Sequence, residues 1–335
     1  MKPFNTILIS FLLILSGCES KQPIQPSFVH DLNNNEAKPW TNETFEESED
    51  DFTFAIISDL NGGERDGIYN VAVEQINRLE PTFVLSVGDL IDGGTEDSLQ
   101  LKKEWDSFGA RTSKLDMPFF YLGGNHDLTN PKMRTFWKQR FGPRYYHFVY
   151  KDVLFLMMDS EDFEEKRMLE IYHARAKAID MNDDEFVKSE YYAMPERKTG
   201  AMSNSQLEYY KQVLEQYPNV KWTFALMHKP LWMREDDKGL GKLESLLKDR
   251  PYTVINGHFH SFSHRILNNR DYIILGTTGG SQRKTDSKSF DHITLVRMAK
   301  EKPVITHLRM DGILDETGRI PIGGDSLSFQ SSKQK

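Results

Sequence analysis

The sequence predicts an α/β fold of two packed sheets with helices on the outside, and three observations lead to it. Five short apolar runs, over residues 54–57, 83–87, 119–122, 222–227 and 252–255, are rich in the aromatic and branched residues that suit buried strands. Helical patterns lie between several of them, so the early chain reads strand, helix, strand. After His260 the chain reads mainly as strands, over 261–267, 272–275, 292–297 and 303–309. Alternating units followed by a β-rich part fit two sheets that bury one face against each other and cover the other with helices.

From the N-terminus, Lys2 is followed by an apolar stretch over 7–15 and then by Leu15-Ser16-Gly17-Cys18. The stretch is too short to span a membrane and has the layout of a signal sequence over 1–17. Leu-Ser-Gly-Cys resembles the lipobox of bacterial lipoproteins. That resemblance implies cleavage before Cys18 and lipid on its thiol, hence a membrane-tethered protein outside the cytoplasm, in the periplasm or at the cell surface. Cys18 is the only cysteine among 335 residues, so an intrachain disulfide is excluded. Residues 18–51 are polar and acidic, with Asn33-Asn34-Asn35 and Glu46-Glu47-Ser48-Glu49-Asp50-Asp51, and read as a flexible lipidated tether. A folded domain is expected over 52–310 and a polar tail over 311–335. The net charge of −8 leaves no basic excess to track a nucleic-acid backbone, so nucleic acid is not expected as a partner.

Within the domain, Ile68, Val71, Ala72, Gln75, Ile76 and Leu79 recur at helical spacing until Pro81 stops the run. Ser203, with Gln206 three residues on, reads as a capping box that opens a helix with Leu207, Tyr210, Leu214 and Tyr217 on one face. Residues 160–201 form a charged insertion containing Arg167, His173, Arg175, Lys177, Tyr191, Tyr192, Arg197 and Lys198. It can be a lid or specificity loop, or a solvated helical surface.

Each of the five strand runs ends in a metal-ligand side chain: Asp59, then Gly88-Asp89, Gly124-Asn125-His126-Asp127, His228, and Gly257-His258-Phe259-His260. In open α/β sheets ligands gather at the carboxyl ends of strands, so these residues can converge although they span some two hundred positions. Carboxylate and amide oxygens with imidazole nitrogens suit a hard divalent or trivalent ion. Two such ions about 3.5 to 4 Å apart can share one carboxylate. Lys229-Pro230-Leu231-Trp232 and Gly276-Thr277-Thr278-Gly279-Gly280 follow strands and are candidates to line a pocket, with Trp232, Thr277 and Thr278 touching substrate; Trp232 is equally a core candidate. His30, His147, His173, His264 and His292 belong to no motif.

In this order the motifs resemble the calcineurin-like metallophosphoesterases, whose pattern runs Asp-x-His, Gly-Asp-x-x, Gly-Asn-His-Asp/Glu, His, Gly-His-x-His. The resemblance covers residues 52–310 and implies a four-layer αββα sandwich of two mixed sheets. It implies two divalent or trivalent metal ions, of Mn, Fe, Mg or Zn. Asp59 and His260 would hold the first, Asp89 would bridge, and Asn125, His228 and His258 would hold the second. His126 would be the catalytic imidazole, held by Asp92 or Asp127, with Asp127 equally suited to cap a helix or turn. The reaction implied is hydrolysis of a phosphate mono- or diester by a metal-bridging hydroxide, with His126 assisting the leaving group.

Two departures qualify this. Asn61 stands where the family has His, and an amide oxygen is a weaker, harder ligand than imidazole, so the first site should hold its ion less tightly and favour Mn, Fe or Mg. Otherwise Asn61 touches substrate, or one metal is lost. Gly93 follows Asp92 where the protein serine/threonine phosphatases of the superfamily carry Arg, which speaks against that activity. The alternative function is a membrane-tethered binding protein with a degraded metal site. The sequence does not indicate the natural ester, the metals, or the oligomeric state.

Overall fold

The computed structural model describes residues 27–313 apart from residues 34, 47–50, 62, 284 and 301. In chain order the strands are β1 (Phe28–Val29), β2 (Phe52–Ile57), β3 (Phe83–Ser86), β4 (Phe119–Phe120), β5 (Tyr146–Tyr150), β6 (Val153–Met157), β7 (Trp222–Met227), β8 (Tyr252–Asn256), β9 (Ser263–Leu267), β10 (Arg270–Ile274), β11 (His292–Met298) and β12 (Pro303–Arg309). The helices are α1 (Ile68–Leu79), α2 (Ser98–Thr112), α3 (Asn125–Leu128), α4 (Pro131–Phe141), α5 (Glu165–Ala178), α6 (Asp183–Phe186), α7 (Glu190–Ala193), α8 (Glu196–Thr199), α9 (Asn204–Gln216) and α10 (Gly241–Leu247). None of the described helices is long and apolar enough to cross a membrane.

The strands form a seven-stranded sheet in the order β1-β5-β6-β7-β8-β10-β9 and a five-stranded sheet in the order β12-β11-β2-β3-β4. Both are mixed. β2, β3 and β4 run parallel with β11 antiparallel to β2, while β6, β7, β8 and β10 run parallel with β5 and β9 antiparallel at the flanks. Alternation along each strand builds the layers. Phe54, Ile56, Phe83 and Phe120 face Phe148, Phe155, Phe224 and Ile255 of the other sheet in one aromatic core. The intervening Ala55, Ile57, Val84 and Phe119 face α1, α2 and α4 through Val71, Trp105 and Trp137. On the far side, Leu154, Leu156, Ala225 and Val254 pack on Tyr210, Leu214, Leu243 and Leu247 of α9 and α10. The result is the expected four-layer αββα sandwich.

Helix α1 ends where Pro81 predicts, with Glu80 in the left-handed conformation. The capping box at Ser203 is half formed: its hydroxyl accepts the Gln206 amide at 3.1 Å, but the Gln206 side chain turns inward to Asp159 and Asp162. The segment read as a tether needs correction over its described part. Phe28–Val29 pairs with β5, Trp40 is buried and bridges to Phe120, and Phe28 and Phe45 pack on the inter-sheet core. Aromatic side chains spaced without period bury one at a time, so no periodic pattern announced them. Residues 18–26 and the lipobox lie outside the described residues, as do residues 314–335. Met310 and Ile313 still pack on the core beneath α1, carrying the domain slightly past residue 310.

Candidate metal centre

The loops after β2, β3, β4, β7 and β8 meet and hold one another through the backbone. The Asp59 amide donates to the Gly88 carbonyl at 3.2 Å and the Gly257 amide to the His228 carbonyl at 3.0 Å. Between the sheets, the His258 amide donates to both oxygens of Asp59, at 3.0 and 3.1 Å. The His126 amide donates to Asp89 Oδ1 at 2.8 Å. Close approach requires glycine here: a Cβ on Gly124 would collide with Asp89 Oδ1, and one on Gly257 with Asp59 Oδ2 and Ser58 Oγ. Asp59, Asp89, His258 and His260 all have positive φ, between 50° and 78°. Such backbone costs about 1–3 kcal/mol per residue and persists only where the surroundings enforce it, as they do at functional sites.

Two groups of donor atoms result, each with its atoms within 4.8 Å of one another: Asp59, Asp89 and His260, and Asp89, His228 and His258. Asp89 belongs to both. His228 Nε2 lies 3.1 Å from Asp89 Oδ2 yet has no hydrogen-bond partner of acceptable geometry. The two atoms are close without being aligned as donor and acceptor, as ligands of a common ion are. Three amide atoms share this condition: Oδ1 and Nδ2 of Asn61, which is 1% exposed, and Oδ1 of Asn125 are buried with no hydrogen-bond partner. Orphaned buried polar atoms are costly, and a cation would satisfy the oxygens. The oxygen and imidazole donors present therefore fit a pair of hard or borderline ions.

Every imidazole is oriented by a backbone carbonyl on its other nitrogen, which fixes the tautomer. His228 Nδ1 bonds the Val87 carbonyl at 2.8 Å and His260 Nδ1 the Ser281 carbonyl at 2.7 Å, leaving Nε2 of each toward the centre. His258 is reversed: its Nε2 bonds the Arg197 carbonyl at 2.8 Å, which leaves Nδ1 free toward the centre. Burial, with Lys229 and His228 adding to it, holds the His258 pKa well below the usual range and keeps the ring neutral. Burial pushes the Asp89 carboxyl up, but the His228 and His126 charges outweigh it and hold the group well below the usual carboxylate range. Burial likewise pushes His228 down, and Asp89 overrides it, raising the ring to about 9. His260 is raised in the same way by Asp59, 3.2 Å away, against burial.

Of the expected roles left with two readings, Asp127 and Trp232 take the structural one, while Asp92, Thr277 and Thr278 are placed differently. Asp127 does not reach the His126 side chain. Its carboxylate accepts the amides of Asp89, Leu90, Ile91 and Gly124, at 2.8 to 3.2 Å, so it clamps the Gly-Asp loop as a turn cap. Asp92 orients His126 through its backbone carbonyl, which takes Nδ1–H at 2.7 Å, and its own carboxylate is exposed. Thr277 and Thr278 are wholly buried with their hydroxyls committed, Thr277 to Asp291 and Thr278 to the Ser58 amide and the His292 carbonyl. They latch the end of β2 and have no hydroxyl left for substrate. Trp232 packs on Tyr272 and donates to Asn256 Oδ1 at 3.0 Å, a core contact. Sequence reasoning missed the Val87, Ser281 and Arg197 carbonyls, which carry no side-chain signature. It also missed the buried pair of Lys229 with Glu161, 2.7 Å apart behind His228.

The calcineurin-like phosphoesterase family model matches residues 52–262, most of the chain and all five ligand-bearing loops. The chain belongs to this family. This calcineurin-like phosphoesterase is accordingly a metal-dependent hydrolase of phosphate esters. Among solved structures, a dimetal phosphatase from Danio rerio is similar with a TM-score of 0.55 and 16% identity, over 77% of this chain and 96% of that one. PhoD is similar with a TM-score of 0.51 and 9% identity, over 79% of this chain and 70% of that one. At such identities the likeness is one of fold. No curated protein matches the phosphoesterase.

Proposed function

We propose that the chain hydrolyses phosphate mono- or diesters at a centre that would hold two metal ions, with Asp89 as the donor common to both positions. Asp59, Asn61 and His260 would complete the first position, and Asn125, His228 and His258 would complete the second. The observation that carries this reading is the sharing of Asp89 between the two donor groups. Two such ions, when bound, activate water and neutralise phosphate charge. The chain's own residues do the rest. His126, whose amide is tied to Asp89 and whose Nδ1–H is tied to the Asp92 carbonyl, presents Nε2 to the leaving oxygen. Because Nδ1 keeps its hydrogen, His126 must carry a second proton at Nε2 to act as an acid there. Burial, with the Arg175 charge adding to it, opposes that proton and outweighs Asp89, which favours it, so the ring's pKa lies below the usual imidazole range. A phosphate dianion arriving beside the ring favours it further. Asp127 keeps the Gly-Asp loop in register without touching substrate. The alternative of a binding protein with a degraded site finds no support in a ligand set whose members all sit in the buried, interlocked loops.

The test is hydrolysis of aryl phosphate mono- and diesters with Mn and with chelator. The mature domain is expected to turn over with Mn and stop with chelator. His126→Ala is expected to keep its metal content while losing about 10²- to 10⁴-fold in turnover, the range for a lost general acid. Equal loss of metal would make His126 a ligand rather than a proton donor.

We further propose that Cys18 carries lipid and anchors the enzyme outside the cytoplasm, on the support of Leu15-Ser16-Gly17-Cys18 after a short apolar run. Cys18→Ala is expected to accumulate as an unprocessed precursor or to leave the membrane fraction. A processed mutant that stays with the membrane through a high-salt wash contradicts the anchor.

A further inference from the structure

The insertion brings a cation to the catalytic side of the site. Helix α5 buries Met168, Ile171, Ala174 and Ala178, and Ile171 and Ala174 pack with Met194 in a small core of the insertion's own. Arg175, next to Ala174, is thereby held half-buried against the loop that follows β3. A Cβ on Gly94 would lie 2.8 Å from Arg175 Nη1, and a Cβ on the adjacent Gly93 would collide with the His126 carbonyl. The carbonyl that orients the His126 ring belongs to Asp92, in the same turn. Arg175 is near enough that its charge acts on the imidazole.

Its lack of a partner sets Arg175 apart from the other half-buried arginines of the insertion. Arg167 pairs with Glu170 and Glu196, and Arg197 stacks 4.5 Å over Tyr192 and donates to the Tyr192 carbonyl. Among the described residues, no carboxylate lies within ion-pair distance of Arg175 and no hydrogen bond engages its guanidinium. A guanidinium is planar, permanently charged and matched to two-pronged contact with a carboxylate or phosphate, and a partly desolvated one without a counter-ion is poised to take an oxyanion.

We propose that Arg175 is a specificity-determining residue that binds an anionic group, a phosphate or a carboxylate, on the leaving-group part of the substrate. The inference rests on the phosphoesterase reading above and narrows it: the favoured ester is one whose departing alcohol or phosphate itself carries negative charge. The placement beside His126, which faces the leaving oxygen, distinguishes this contact from one to the scissile phosphate.

The experiment compares phenyl phosphate, carboxyphenyl phosphate and inorganic pyrophosphate as substrates of the Mn-loaded enzyme, for wild type, Arg175→Gln and Arg175→Lys. The wild type is expected to favour at least one of the two anionic leaving groups over phenol. Arg175→Gln is expected to lower that preference in kcat/KM by about tenfold or more, mainly through KM, since a charge-assisted hydrogen bond contributes about 1.5–3 kcal/mol. Arg175→Lys should restore part of it, with melting curves unchanged in both variants. Loss of preference for pyrophosphate alone identifies the anion as phosphate, and for carboxyphenyl phosphate alone as carboxylate. An active wild type whose preference survives Arg175→Gln, or a variant that loses all three substrates equally, overturns the role of Arg175. A wild type that hydrolyses an aryl phosphate diester but none of the three overturns the role of Arg175, and one inactive on the diester as well overturns the phosphoesterase reading itself.

Discussion

The donor group of Asp89, His228 and His258 takes both imidazoles from the ends of β7 and β8, with Asn125 beside it at the start of α3. The group of Asp59, Asp89 and His260 has one imidazole, a carboxylate at the end of β2, and the unpartnered amide of Asn61 in the same loop. The first set is richer in nitrogen and suits Zn or Fe; the second is richer in oxygen and suits a harder ion held less tightly. Their supports differ too. His228 leans on the Val87 carbonyl at the end of β3, deep in the sandwich, whereas His260 leans on Ser281 in a half-buried surface loop. A shared carboxylate thus joins a firm half to a looser one.

The largest expected effect comes from the joint. Asp89→Ala removes the ligand common to both groups, and metal-dependent hydrolysis should fall to background with neither ion retained on metal analysis. Two ions bound with full activity would separate the halves entirely. Next come the imidazoles taken singly. His228→Ala and His260→Ala should each leave about one equivalent of metal, and the ion that remains in His260→Ala should be the harder to strip with chelator. Equal stripping would erase the difference between the halves. The smallest effect belongs to Asn61. Asn61→Ala should raise the Mn concentration for half-maximal activity by about tenfold, within the range that even the partners of ligands command. Asn61→His should lower it by supplying the missing nitrogen. Unchanged titrations with a shifted KM would move Asn61 from the metal shell to the substrate.

The firm and the loose halves were equally legible in the sequence, because each ligand sits directly after an apolar strand and strands announce themselves by burial. Asp59, Asp89, His228 and His258 needed only that signal. What strands cannot announce is which atom of a residue works. Asp92 acts through its carbonyl and Asp127 through amides of another loop, so the motif gave their positions and not their contacts. Thr277 and Thr278 follow a strand as the ligands do, but their hydroxyls are consumed by Asp291 and the end of β2, and only the three-dimensional arrangement shows it. The aromatic residues at 28, 40 and 45 follow no period, so no pattern marks them as buried. The insertion reads as charged because α6, α7 and α8 are single turns too short to show periodicity, while the 14-residue α5 buries only the narrow line of Met168, Ile171, Ala174 and Ala178.

The bond from His258 to the Arg197 carbonyl ties the charged insertion to the candidate metal centre. Arg197 sits on α8, whose Glu196 is gripped by Arg167 from α5 and by Arg234 from the core domain. The acceptor that orients the His258 ring therefore travels with the insertion. Thermodynamic reciprocity follows: whatever displaces α8 weakens the hold on an ion at His258 Nδ1 by the same factor by which that ion, once bound, resists the displacement. With an ion bound there, metal loading and the posture of the insertion would be one equilibrium, and amide exchange in residues 196–199 would read the occupancy of the centre from outside it.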